Sequence, residues 1–197
     1  ISGDIPAYDG TNNTVKSDVC GLTPLMYWIR YMKGKVIPNC LLHDMTIGDN
    51  MECTPLMLWI IYRIGEAIPE YLLYDSSIRD NYGCTPLMFW IINRKGESIP
   101  DCLLHDPTIK DNYGRTPLIY WVQYRKGEVI PDYLLHDPTI RDRCKRSPLM
   151  YWIEYRKGEA IPEYLLHDLN IKEDEYGCTP SMWWIRHRKE EDIPDCL

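Results

Sequence analysis

Thr-Pro or Ser-Pro returns along this chain at Thr23-Pro24, Thr54-Pro55, Thr85-Pro86, Thr116-Pro117, Ser147-Pro148 and Thr179-Pro180, at spacings of 31, 31, 31, 31 and 32 residues. Trp28, Trp59, Trp90, Trp121, Trp152 and Trp184 each follow the Pro by four residues, and an Ile-Pro pair follows each Trp by nine. A fixed period of roughly 20–50 residues restricts a chain to stacked units, each touching only its neighbours. A unit of 31 residues is too small to bury a core alone, but units in series share one. The repeated columns therefore build the fold, and function is expected in the columns that vary.

Residues 80–110 illustrate one unit. Asp80-Asn81-Tyr82-Gly83 reads as a turn, because Asp and Asn bond their own backbone and Gly tolerates positive φ. Thr85 is then a helix N-cap with Pro86 at the first helical position. Leu87, Trp90, Ile91 and Arg94 fall on one face of a helix expected to run about 9–10 residues. Arg94-Lys95 suit its C-terminus, and Gly96 suits the position beyond. A second, shorter helix is expected from Ile99-Pro100, with Leu103-Leu104 as its buried face and Asp106-Pro107 as its end. Thr108-Ile109 form an extended return. Ile109 and its equivalents Ile47, Ile78, Ile140 and Ile171 are expected to plug the seams between units.

The array is expected over residues 18–197, in units of about 18–48, 49–79, 80–110, 111–141, 142–173 and 174–197, the last truncated. Residues 1–17 are polar and read as an N-terminal cap or partial repeat, whereas the C-terminus stops inside a second helix without a polar cap. The polar opening Ile1-Ser2-Gly3-Asp4 is not expected to be a signal peptide, and the absence of an initial Met reads as a fragment or a processed product, in which a targeting signal could have been lost. There is no run of 18 apolar residues, so no membrane insertion is expected. The net charge of −7 argues against nonspecific nucleic-acid binding.

Eight Cys include no CxxC pair, and most share repeat columns: Cys40, Cys102 and Cys196 in one, Cys53, Cys84 and Cys178 in another. Equivalent residues of stacked units lie roughly 10 Å apart, beyond the Cα separation of about 7 Å that a disulfide tolerates. A reduced, intracellular protein of the cytoplasm, or one associated with the cytoskeleton, is thus expected, against which the lone sequon Asn12-Asn13-Thr14 weighs little.

The unit resembles the ankyrin repeat. Asp80-x-x-Gly83-x-Thr85-Pro86-Leu87 is similar to that family's D-x-x-G-x-T-P-L, and Leu103-Leu104 to its second-helix Leu pair; the match recurs in phase over residues 18–197. The departures are Met or Ile where the family favours His, Trp-Ile or Trp-Val where it has Ala-Ala, a shortened Asp-Pro-Thr-Ile segment, and 31 residues rather than 33. The pattern is similar to divergent, Trp-containing ankyrin arrays expanded in some protists. The resemblance implies an all-α solenoid of about six stacked repeats, whose partners bind the concave side through turn tips and the exposed face of the first helix.

Carried onto this chain, the exposed helix columns are Arg30-Tyr31, Ile61-Tyr62, Ile92-Asn93, Gln123-Tyr124, Glu154-Tyr155 and Arg186-His187. Tyr is a favoured contact residue; partner contact and packing against neighbouring turns both remain open for this column. Tip residues include Tyr82, Tyr113 and Tyr176. One tip differs: Arg141-Asp142-Arg143-Cys144-Lys145-Arg146 replaces D-N-Y-G and, with Lys110 and Arg115, makes a basic patch on an acidic protein. It suits an acidic peptide, tail or phosphate, or is a solvated tip without a role.

His43, His105, His136 and His167 share a column, but side chains one repeat apart cannot converge on a metal. No GxGxxG, Walker-type loop, HExxH or GxSxG occurs. Nearly every polar residue recurs as a column, unlike the single unlike residues of an active site. The expectation is a non-enzymatic scaffold without metal or cofactor that binds a partner protein. A filament component with end-to-end self-association, and an array that blocks an enzyme's surface, are the alternatives.

Overall fold

A computed structural model describes residues 19–42, 45–73, 75–168, 174–195 and 197, without the side chains of 167 and 168. The expected N-terminal cap at 1–17, and His43, Ile171 and Cys196, lie outside the described residues. Among the described residues there are six α-helices and no strand: α1 Pro24–Tyr31, α2 Pro55–Tyr62, α3 Pro86–Asn93, α4 Pro117–Tyr124, α5 Pro148–Tyr155 and α6 Pro180–His187. The chain forms two compact units, Ile1–Asn81 and Tyr82–Leu197. In the first, α1 packs on α2; in the second, α3 packs on α4, α4 on α5 and α5 on α6. Each is an all-α stack of repeats.

The helix starts follow from the Thr-Pro signal. Thr23, Thr54, Thr85, Thr116, Ser147 and Thr179 are N-caps whose hydroxyls accept the N–H three residues on, at 3.3–3.5 Å. Pro follows at a position whose N–H has no helical partner to lose. Leu, Met and Ile then pack inward: Leu118, Ile119 and Val122 in α4, and Leu149, Met150 and Ile153 in α5 are buried.

Two local expectations are corrected. The second helix is a single 3₁₀ turn of three residues, at Asn39–Leu41, Glu70–Leu72, Asp101–Leu103 and Asp132–Leu134. It ends early because an Asp bonds its own backbone: Asp106 Oδ1 accepts from the Thr108 N–H at 2.9 Å and its hydroxyl at 2.6 Å. Asp75 with Ser77, and Asp137 with Thr139, do the same. Such turns compete with helix. After Asp168 the sequence has Leu169-Asn170 instead, and there the 3₁₀ segment extends over Glu163–Asp168. The glycine after each of α1 to α5 is likewise not the residue directly beyond the cap. Gly96, at φ +77°, is the third residue of a separate turn closed by the Glu97 N–H donating to Arg94 O.

That turn launches the main tie between repeats. Arg63, Arg94, Arg125 and Arg156 are fully buried and Arg188 nearly so. Arg125 reaches back to α3: its Nε donates to Ile91 O (2.9 Å), Nη2 to Trp90 O (3.2 Å) and Nη1 to Glu97 O (3.2 Å). Nη1 also meets Glu128 Oε2 at 2.8 Å, and the guanidinium lies 4.7 Å from the Trp121 ring centroid. Glu128 Oε1 accepts the Gly96 N–H (3.1 Å). Arg156 repeats this on Val122, Trp121 and Glu128 carbonyls, and Arg188 on those of Ile153, Trp152 and Glu159. Within the first unit Arg63 holds Ile29, Trp28 and Lys35. A cation here meets the negative end of a helix dipole and carbonyls that lack intrahelical partners. Burial pulls the Arg156 guanidinium below its ordinary value, opposed by Glu159 and Glu128. The first repeat has Met32 and Lys35 in place of the Arg and Glu.

Candidate functional site

The tips are built on a buried Asp. Asp111 Oδ1 accepts the Tyr113 and Arg115 N–H groups, both at 2.8 Å; Oδ2 accepts Arg115 Nε (2.8 Å) and the Tyr120 hydroxyl (2.8 Å). Asp142 binds the Arg146 N–H and Nε and the Tyr151 hydroxyl in the same way. Asp174 binds the Tyr176 and Cys178 N–H groups and the Trp183 indole. Burial alone would raise the Asp174 carboxyl, but these donors outweigh it and hold it below its ordinary value. Burial pushes the Tyr120 phenol up, aided by its contact with the Cys84 thiol, and burial likewise raises Tyr151.

Successive tips are tied by backbone bonds. In the second unit Asn112 N–H donates to Tyr82 O (2.8 Å), Arg143 N–H to Tyr113 O (2.8 Å) and Glu175 N–H to Cys144 O (3.0 Å). The ladder sets Tyr82, Tyr113 and Tyr176 in one row at 49%, 52% and 81% exposure. Gly83, Gly114 and Gly177 take the positive φ that closes these tips, and Lys145 takes the same place at φ +60°.

The tip at 141–146 is less open in its cations than its sequence suggests. Arg115 and Arg146 each serve the internal network: Arg115 Nη2 donates to Tyr120 Oη (2.7 Å), and Arg146 Nη2 to Tyr151 Oη (2.6 Å). Burial works to lower both guanidiniums, but the neighbouring phenols and carboxylates outweigh it. Arg143 and Lys145 are exposed, and Arg141 is half-buried with its Nη1 donating to Lys145 O.

The helix columns expected to be exposed are mostly half-buried. Only Tyr31 and Arg186 are exposed; Arg30, Ile61, Tyr62, Ile92, Asn93, Gln123, Tyr124, Glu154, Tyr155 and His187 are half-buried. The reason is i,i+4 stacking, as in Tyr120–Tyr124 (centroids 5.9 Å), Tyr151–Tyr155 (6.0 Å) and Trp183–His187 (4.8 Å). Arg30 lies over the Tyr31 and Tyr62 rings. Asn93 donates back to Phe89 O (2.8 Å). The column thus packs along one edge and offers the other outward.

His105 and His136 are exposed where the 3₁₀ turns end. Among the described residues, no group of three His, Cys, Asp or Glu side chains is disposed to hold a metal ion, and no cysteine is in a disulfide. No described helix is long and apolar enough to cross a membrane. No family model matches the chain, and no curated protein is similar to it at a significant level.

Proposed function

We propose that this chain is a non-enzymatic protein-binding array of the ankyrin kind, engaging its partner through the tip row and the outward edges of the helix tyrosines. The observation that carries this reading is the alignment of Tyr82, Tyr113 and Tyr176, three exposed aromatic side chains on tips tied by backbone bonds, those of Tyr113 and Tyr176 also fixed by buried Asp caps. An aromatic row already ordered before binding lowers the entropy cost of association. Arg143 and Lys145 extend the row with positive charge, which favours an acidic segment of the partner at that tip.

The test is capture of partners from the source cell by three forms of the protein: wild type, Tyr82→Ala/Tyr113→Ala/Tyr176→Ala, and Tyr62→Ala/Tyr124→Ala/Tyr155→Ala. A partner lost with the tip variant while the fold is kept supports the proposal. Equal recovery by all three forms sinks it. Arg143→Glu/Lys145→Glu then tests the acidic segment through the salt dependence of binding.

A further inference from the structure

Within the second unit, the segments that follow α4 and α5 form a groove of about 510 Å³ together with Trp152 of α5. That size lies in the range of ligand pockets, roughly 300–1,000 Å³. Its lining is mostly apolar, with Val129, Ile130, Leu135, Trp152, Pro162 and Tyr164. Val129 remains 89% exposed. The charged lining residues are all acidic: Glu128, Asp132 and Glu159. Glu128 and Glu159 are held by Arg125 and Arg156, whereas Asp132 is exposed. Lys126 and Lys157 belong to the same turns but do not line the groove.

Two lining side chains carry polar atoms without a protein partner. The Trp152 indole nitrogen and the Tyr164 hydroxyl are both buried and unbonded, and Trp152 as a whole is only 5% exposed. One repeat earlier Trp121 and Tyr133 hold the same places, and their nitrogen and hydroxyl are likewise buried without a partner. Each of these groups donates to a carbonyl oxygen when one is supplied, and a buried donor left without an acceptor is costly. The repeats thus set the same pair of donors twice, at the roughly 10 Å spacing of packed helices. A polyproline II segment matches that spacing. It has three residues per turn and rises about 3.1 Å per residue, so every third residue returns to the same side after about 9 Å. Its carbonyls make no internal bonds, and aromatic-lined grooves are the surfaces on which such segments dock.

This sequence does not supply such a segment, because no two of its 15 prolines stand three residues apart. We propose that the groove after α4 and α5 docks a proline-rich segment of another protein, in the polyproline II conformation and carrying a lysine or arginine. Prolines three apart seat against Trp121 with Tyr133 and against Trp152 with Tyr164, and the carbonyls between them accept from the indole and phenol donors. The cation faces Asp132. This surface lies beyond the C-terminal ends of the helices, so it neither uses nor depends on the tip row at their N-terminal ends.

The test pans a pool of random peptides with Pro-x-x-Pro fixed against the full chain, beside a pool with alanine at both fixed places. The chain is used as wild type, Asp132→Lys, Tyr164→Phe and Tyr82→Ala/Tyr113→Ala/Tyr176→Ala. Both groove variants keep the fold, since Asp132 is exposed and Tyr164→Phe removes only an unbonded hydroxyl. Wild type and the tip variant are expected to enrich lysine- or arginine-bearing peptides from the proline pool. Asp132→Lys is expected to weaken binding of the selected peptides by about tenfold or more, because it sets like charges together. Tyr164→Phe is expected to weaken it roughly threefold, the worth of one hydrogen bond. No enrichment, or equal enrichment from the alanine pool, overturns the proline-rich occupant. Selected peptides without a cation overturn the role of Asp132, and binding unchanged in both groove variants overturns the site.

Discussion

The two ends of α4, α5 and α6 are held by buried charges of opposite sign that work over different distances. At the N-terminal end Asp111 closes its own tip, with partners two to nine residues away. At the C-terminal end Arg125 binds carbonyls 28–35 residues back, in the preceding repeat. Both complement the helix dipole. The Asp therefore shapes a repeat and presents its tip, while the Arg makes two repeats one structure.

The largest effect that separates them is expected from Arg125→Met. It keeps much of the volume but removes three bonds to the previous repeat and strands Glu128, and should cost about 3–5 kcal/mol in urea unfolding. Asp111→Ala comes next at roughly 2–3 kcal/mol, since it leaves the N–H groups and the Tyr120 hydroxyl of one tip without their acceptor. A cost for Asp111→Ala above that for Arg125→Met would reverse the ranking and break the comparison.

The two ends also differ in their response to acid. The Asp174 carboxyl is held low when folded, so its contribution is fully present above the unfolded value of about 3.9 and is lost as pH falls through the folded value. Asp174→Asn should flatten stability across that acid range, while Arg188→Met should lower stability without flattening it. Parallel pH curves for wild type and Asp174→Asn would contradict this assignment. The smallest expected change is a gain. Lys145 holds a left-handed backbone where neighbouring tips have glycine, so Lys145→Gly should raise stability by about 0.5–1 kcal/mol, read as a higher urea midpoint. Gly114 offers the contrast, because a Cβ there would meet the Arg143 nitrogen at 2.9 Å; Gly114→Ala should destabilise.

The near-sequence half of this scheme was legible before the structure. Thr-Pro and Asp-x-x-Gly act within a few residues, so spacing alone placed the caps, the α-helices and the tips. The arginine clamp was not legible in that way. Arg125, like Arg94, reads as a cation that suits the C-terminus of its own helix, and only the fold brings its carbonyl partners from another repeat. A signal was present all the same: the Arg and Glu recur from Arg63-Glu66 to Arg188-Glu191 and fail together at Met32 and Lys35. The 3₁₀ turns were over-read as helices because Leu103-Leu104 looked like a helical face, while the decisive bond lay between Asp106 and Thr108. For the candidate site, the tip tyrosines were visible as exposed positions. That Arg115 and Arg146 are tied to tyrosine hydroxyls was not, since Tyr120 and Tyr151 sit five residues further on, inside the next helix.

The central claim is that buried arginine, rather than the Asp-built tip, couples neighbouring repeats. Native-state hydrogen exchange on Arg156→Met, compared with wild type and Asp142→Asn, tests it most directly. The account predicts that α4 and α5 amides share one opening free energy in wild type and in Asp142→Asn, and separate into two in Arg156→Met. Continued shared opening of α4 and α5 in Arg156→Met, with separation in Asp142→Asn, would contradict it.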